Sequence, residues 1–96
     1  MKMIIITYAE GIDSAVMELL KNNEQAEYTK WTNVSGCGRQ SEPHFMTHIW
    51  PKGNNVLMIC VEDEKAVKIM DNVRALRKTL GKEGIKAFAW TVSEIT

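Results

Sequence analysis

Between Ser35 and Gly53 the chain reads SGCGRQSEPHFMTHIWPKG, its densest run of side chains able to do chemistry. His44 and His48 are four residues apart, which puts them on one face of either a helix or a strand, and Met46 and Trp50 join them if the segment is extended. Cys37 lies just before. A thiolate, two imidazoles and a thioether are soft-to-borderline donors suited to Cu(I) or a divalent ion such as Zn(II), so Cys37, His44 and His48 are candidate metal ligands. Their spacing matches no established zinc motif. The plainer reading pairs both histidines with polar groups or a subunit contact and makes Cys37 a small turn residue. A second chemistry is anion binding: Arg39 and Lys52, with Lys82 and Lys86 from a later turn, could hold phosphate or carboxylate, the alternative being solvated surface charge. No nucleophile or acid/base pair stands at a diagnostic spacing, so the chain reads as non-enzymatic.

The elements that must position these groups follow from periodicity. Lys2 to Tyr8 is rich in isoleucine and reads as a strand. Ile12, Ala15, Val16, Leu19 and Leu20 then recur at helical spacing, with Asp13 and Glu18 outside that face, and the helix fades around Asn22 and Asn23. Glu27 to Val34 carries tyrosine, threonines, tryptophan and valine and reads as a second strand, closed by Gly36 and Gly38. Val56 to Val61 is a third strand. The acidic run Glu62, Asp63, Glu64 opens a second helix whose apolar face is Ala66, Ile69, Met70, Val73, Leu76 and Leu80, with Gly81 as its cap. Ile85 to Val92 is the last strand.

The order strand, helix, strand, strand, helix, strand predicts an α+β, ferredoxin-like βαββαβ sandwich: a four-stranded antiparallel sheet with two helices on one face, as a single domain over residues 1–96. Two helices cover only one side of such a sheet. Yet both sides of the strands are apolar, Met3 and Ile5 alternating with Ile4 and Ile6, and Val56 and Met58 with Leu57 and Ile59. A solvated face would read polar, so the second face predicts a homo-oligomer. Met17, Met46, Met58 and Met70 read as packing residues, Trp31, Trp50 and Trp90 as core or interface, and Cys60 as buried and inert.

Composition narrows the class. Twelve basic and twelve acidic residues cancel, so no global field favours nucleic acid or an anionic membrane. The apolar runs are far shorter than the roughly 18 residues of a membrane span, and the start lacks a cleavage site for secretion. Two cysteines without a CxxC spacing fit thiols of a reducing cytoplasm.

Gly36, Gly38, Arg39 and Gln40 in GCGRQ resemble the G-x-G-R-Q turn at the base of the T-loop in PII signalling proteins, and Trp50, Pro51 and Lys52 resemble that family's L-P-K segment returning into its third strand. The resemblance spans nearly the whole chain. It implies a ferredoxin-like homotrimer that binds ATP, ADP or a related effector such as AMP in clefts between subunits, often with 2-oxoglutarate, and whose T-loop, here 36–53, engages a partner protein. By position, Gln40 is similar to the glutamine near metal, nucleotide and 2-oxoglutarate, Lys52 to a lysine near 2-oxoglutarate, and Lys86 to a lysine beside the nucleotide phosphates. The implied effector-binding set is Gly38, Arg39, Gln40, Lys52, Lys82 and Lys86. Three departures bear on it. The phosphate-cradling T-G-x-x-G-D-G-K segment stands here as TLGKEGIK, without its glycines in register; the C-terminal arginines of many members are absent; and the loop is short and lacks tyrosine. Amides must approach phosphate closely, and glycine permits that, so ATP held as the family holds it is not the expectation. Two alternatives stay open. One is a trimeric metal-binding protein resembling the CutA proteins in architecture, using Cys37, His44 and His48; the other is a small dimeric ferredoxin-like enzyme.

Overall fold

The computed structural model describes residues 1–37, 53–80 and 84–96. In chain order they form β1 (Lys2–Ala9), a 3-10 turn (Glu10–Ile12), α1 (Asp13–Asn22), β2 (Thr29–Val34), β3 (Asn54–Val61), α2 (Asp63–Leu80) and β4 (Ile85–Thr91). The strands make one antiparallel sheet in the order β2-β3-β1-β4, with both helices packed on one face. This is the ferredoxin-like arrangement that the element order predicts.

The core lies between that face and the helices. Ile4, Ile6 and Tyr8 of β1 and Leu57, Ile59 and Val61 of β3 point inward at period two. They meet Val16, Leu19 and Leu20 of α1 and Ala66, Ile69 and Val73 of α2, with Met17, Met70, Leu76 and Leu80 packed at the margin. The helical face read from spacing is thus the face that packs. α1 ends where the two asparagines suggest: Glu24 adopts a left-handed φ of 54°, and its amide and that of Gln25 bond back to Lys21 O and Leu20 O at 2.9 Å each. These are the two bonds of a Schellman cap, which satisfy carbonyls at the helix end.

Four strand boundaries differ from the periodicity, β1 ending one residue later at Ala9 and β4 one residue earlier at Thr91. β2 begins at Thr29 rather than Glu27, because pairing to β3 starts at Thr29↔Met58. β3 begins at Asn54, ahead of its apolar run, because Asn54 and Asn55 pair with Ala9 and Tyr8 of β1, and ladder pairing overrides the low strand preference of asparagine. Between Trp31 and Val34 the β2–β3 register shifts at Asn33, whose φ of 57° marks a bulge.

The opposite sheet face is built in rows set by the register. Trp31, Val56, Thr7 and Lys86 form one row, Thr29, Met58, Ile5 and Phe88 the next, and Cys60, Met3 and Trp90 the third. Trp31, Phe88 and Trp90 are 45%, 50% and 47% exposed. The two-sided apolar character read from the strands is therefore present as a continuous surface. Cys60 departs from its expectation: it lies on this open face and is half-buried in the protomer, because the inward positions of β3 fall to Ile59 and Val61. Among the described residues, no helix is long and apolar enough to cross a membrane.

Candidate functional site

The two segments that carry most of the candidate site residues meet the fold at one end of the sheet. The Glu10 amide donates to Gly53 O at 3.1 Å and the Ala9 amide donates to Gly84 O at 3.0 Å. Consecutive amides at the end of β1 thus tie down the residue after segment 38–52 and the residue after segment 81–83. On the other flank, Gly36 lies so close to Asn54 that a Cβ at position 36 would collide with the Asn54 amide nitrogen. Glycine lets the outgoing chain run against the incoming strand. Lys86 stands one turn of the β4 pleat beyond Gly84, exposed, opposite Thr7 and in the row that continues to Val56 and Trp31. A cation and the backbone ends of two connections therefore lie at this end of the sheet, an arrangement able to attract an anion, while Trp31 stands on the opposite edge strand, three strand spacings from Lys86.

Behind the same edge, on the helix side, lies a polar cluster centred on Asp13. Its Oδ1 accepts from the Tyr8 hydroxyl at 2.6 Å, from the Lys30 ammonium at 2.7 Å and from Asn55 Nδ2 at 3.2 Å. One carboxylate oxygen thereby links β1, β2 and β3 to the first residue of α1. Burial alone would push the Asp13 carboxyl up, but the hydrogen bonds from Lys30, Tyr8 and Asn55, with the Lys30 charge, hold it below the usual carboxylate range. Burial, then the Asp13 hydrogen bond and charge, push the Tyr8 hydroxyl far above its ordinary value. Asn55 is 5% exposed, and its Oδ1 has no hydrogen-bond partner among the described residues.

Of the residues singled out from sequence, the structure places Lys86 at this sheet end and Cys37 on the exposed chain just past Gly36. Gly38, Arg39, Gln40, Lys52 and Lys82, and the candidate ligands His44 and His48, lie outside the described residues. Among the described residues no group of three His, Cys, Asp or Glu side chains could hold a metal ion. The Asp13 cluster is what sequence reasoning missed. Asp13 lies outside the apolar helical stripe and so reads as solvent-facing; the available signal was Tyr8 and Asn55, polar atoms at strand positions whose neighbours at period two are all core.

The family model for nitrogen regulatory protein P-II matches residues 1–96. The chain belongs to the P-II family. No curated protein sequence matches it. Among solved structures, CPII of Thiomonas intermedia K12 bound to ADP and bicarbonate superposes with a TM-score of 0.72 at 15% identity, over 97% of this chain and 88% of that one. A PII-like signalling protein of Thermus thermophilus gives 0.62 at 18% identity, over 93% and 82%. At these identities the likeness is one of fold. CPII has also been crystallised with ADP, AMP and bicarbonate, and with ADP, AMP and acetate. In this P-II chain, the segment that resembles the T-loop leaves from Gly36 and returns at Gly53, the two points held against Asn54 and Glu10.

Proposed function

We propose that the chain is a non-enzymatic regulatory protein, a single domain over residues 1–96 that assembles as a cytoplasmic homotrimer, binds an adenine nucleotide or related anion in the clefts between subunits, and presents the 36–53 loop to a partner protein. The observation that carries this reading is the shared anchoring of both connections on Ala9 and Glu10, with Lys86 beside them. Membership of the P-II family supports it, as does the occurrence of ADP, AMP and bicarbonate on CPII. Gly38, Arg39, Gln40, Lys52 and Lys82 are the further contacts in this proposal, because they belong to the two connections that this sheet end fixes. An effector drawn to Lys86 would touch both connections at once, so its binding free energy could favour one loop arrangement over another.

Native mass spectrometry of the full chain with ADP, AMP or ATP, each with and without bicarbonate, tests assembly and ligand together. The expected result is a trimer that takes up nucleotide. Lys86→Ala should weaken that binding about tenfold, which is about 1.4 kcal/mol, without disturbing the fold of the protomer, since Lys86 is exposed in it. A trimer that takes up no nucleotide, or unchanged affinity in both Lys86→Ala and Gln40→Ala, would reject the pocket.

A further inference from the structure

β2 is the edge strand that carries the chain to Gly36, and it is held differently from the other three. Among the described residues, none of its side chains belongs to the buried core, and only Lys30 and Val34 are even half-buried. Its pairing to β3 shifts register between Trp31 and Val34, so the ladder is broken just before the outgoing end of the 36–53 loop. The tie from β2 to the helix layer is an ion pair, Lys30 Nζ to Asp13 Oδ1 at 2.7 Å, with the two side chains 21% and 35% exposed. The same Asp13 oxygen accepts from Tyr8 and Asn55. Tyr8 precedes Ala9 and Glu10, whose amides hold Gly84 O and Gly53 O, and Asn55 follows Asn54, against which Gly36 packs. One oxygen thus binds side chains within two residues of every group that fixes the two connections.

We propose that Asp13 is a positioning residue for effector binding. Through Lys30 it seats β2, and through Tyr8 and Asn55 it seats the ends of β1 and β3, so both ends of the loop and the Gly84 connection stand in the arrangement that an anion at Lys86 engages. The inference rests on the regulator reading of this sheet end. Asp13 itself touches no effector in this scheme, because it lies on the helix side of the sheet and Lys86 on the open face. Its effect is on population. Where only a fraction of molecules hold a binding-competent arrangement, apparent affinity falls by that fraction, so an arrangement kept by about a tenth of the molecules weakens binding about tenfold. The ion pair suits this task because it is partly sheltered: salt screens it less than an exposed pair, and removing one partner leaves the desolvation of the other uncompensated.

The test measures ADP binding, with and without bicarbonate, to the full chain and to its Asp13→Asn and Lys30→Met variants. Both conserve size and leave the core of Ile4, Ile6, Leu57 and Ile69 intact. Circular dichroism confirms the fold, and Lys30→Met, which leaves Tyr8 and Asn55 their acceptor, keeps the test open if Asp13→Asn does not fold. Each variant should weaken ADP binding about tenfold. The loss should lie in the association rate, with the dissociation rate unchanged, since the bound arrangement is the parent's. Hydrogen exchange on the same samples should show the Ala9 and Glu10 amides losing more protection than amides at the centre of the β1–β3 ladder. Ile69→Val is the control: it weakens the core without touching the cluster, and should bind ADP as the parent does. An equal loss of affinity in Ile69→Val would reduce the effect to stability and overturn the positioning role. Lost affinity with Ala9 and Glu10 protection retained would overturn it too. A parent that takes up no ADP rejects the regulator reading and this role with it, whereas a parent that binds while both cluster variants bind equally well rejects the role alone.

Discussion

Phe88→Glu is expected to convert the proposed homotrimer into monomers. Phe88 is 50% exposed midway along the edge strand β4, on the apolar sheet face, in the row shared with Ile5 and Met58 and between Trp90 and Lys86. Removing a large apolar side chain from water contributes roughly 1.5–3 kcal/mol. A glutamate at the same place forfeits that contribution and must also be desolvated as an ion without a partner, which costs several kcal/mol more. In a closed ring the same residue recurs in every copy, so the penalty repeats with each interface formed. The protomer itself should tolerate the change, because Phe88 points away from the core formed by Ile4, Ile6, Leu57 and Ile69. Light scattering after gel filtration reads the mass, and circular dichroism reads the fold. Val67→Glu is the control: Val67 is 63% exposed on α2, on the far side of the molecule from the open face. An unchanged mass for Phe88→Glu, or dissociation in the Val67 variant as well, would remove the sheet face as the site of assembly.

The contrast between those two positions shows what sequence makes legible. Helical spacing assigns Ala66, Ile69, Met70, Val73, Leu76 and Leu80 to one face, and that face packs. Alternation alone also shows that Met3, Ile5, Val56 and Met58 have no helix left to cover them. Both inferences work because burial is periodic in a regular element and the period is readable in one dimension. Asp13 fails the same treatment for a physical reason. It follows a 3-10 turn and opens α1, where the phase of the helix is only beginning, and its partners Tyr8, Lys30 and Asn55 come from three strands. Their convergence depends on sheet order and register, which local spacing does not encode. The loop between Gly36 and Gly53 is different again: its reading rests on the family resemblance of GCGRQ and WPK, and the fold contributes only the two points at which it is anchored.

Asp13→Ala is expected to destabilise the protein by roughly 2–4 kcal/mol, because it removes the one acceptor shared by the Tyr8, Lys30 and Asn55 donors. Tyr8 is 1% exposed and Asn55 is 5% exposed, so the Tyr8 hydroxyl and Asn55 Nδ2 would be left buried without an acceptor, beside an Asn55 Oδ1 that already lacks a partner among the described residues. Lys30 would lose its counter-ion as well. For a domain of this size such a loss corresponds to a fall in Tm of about 10–25 °C. Adding Tyr8→Phe removes one stranded donor together with its partner, so the double variant should cost less than the sum of the two single changes. Strict additivity would mean that the 2.6 Å contact carries no coupling. The cluster also fixes the pH profile. Because the folded state holds the Asp13 carboxyl below its usual range, its contribution is complete above about pH 4 and is lost as pH falls through the depressed value, when the native carboxylate takes up its proton. Tyr8 acts at the other extreme. Its folded value is raised, so its contribution is complete below about pH 10 and declines above it, where an unfolded tyrosine ionises and the native one does not. Urea denaturation across pH should therefore show an acid arm that flattens in Asp13→Asn and an alkaline arm that flattens in Tyr8→Phe. If both variants kept the parent's profile, the cluster would not be what ties the ends of β1, β2 and β3 to α1. The anchor points of the 36–53 loop would then depend on the ladder hydrogen bonds alone.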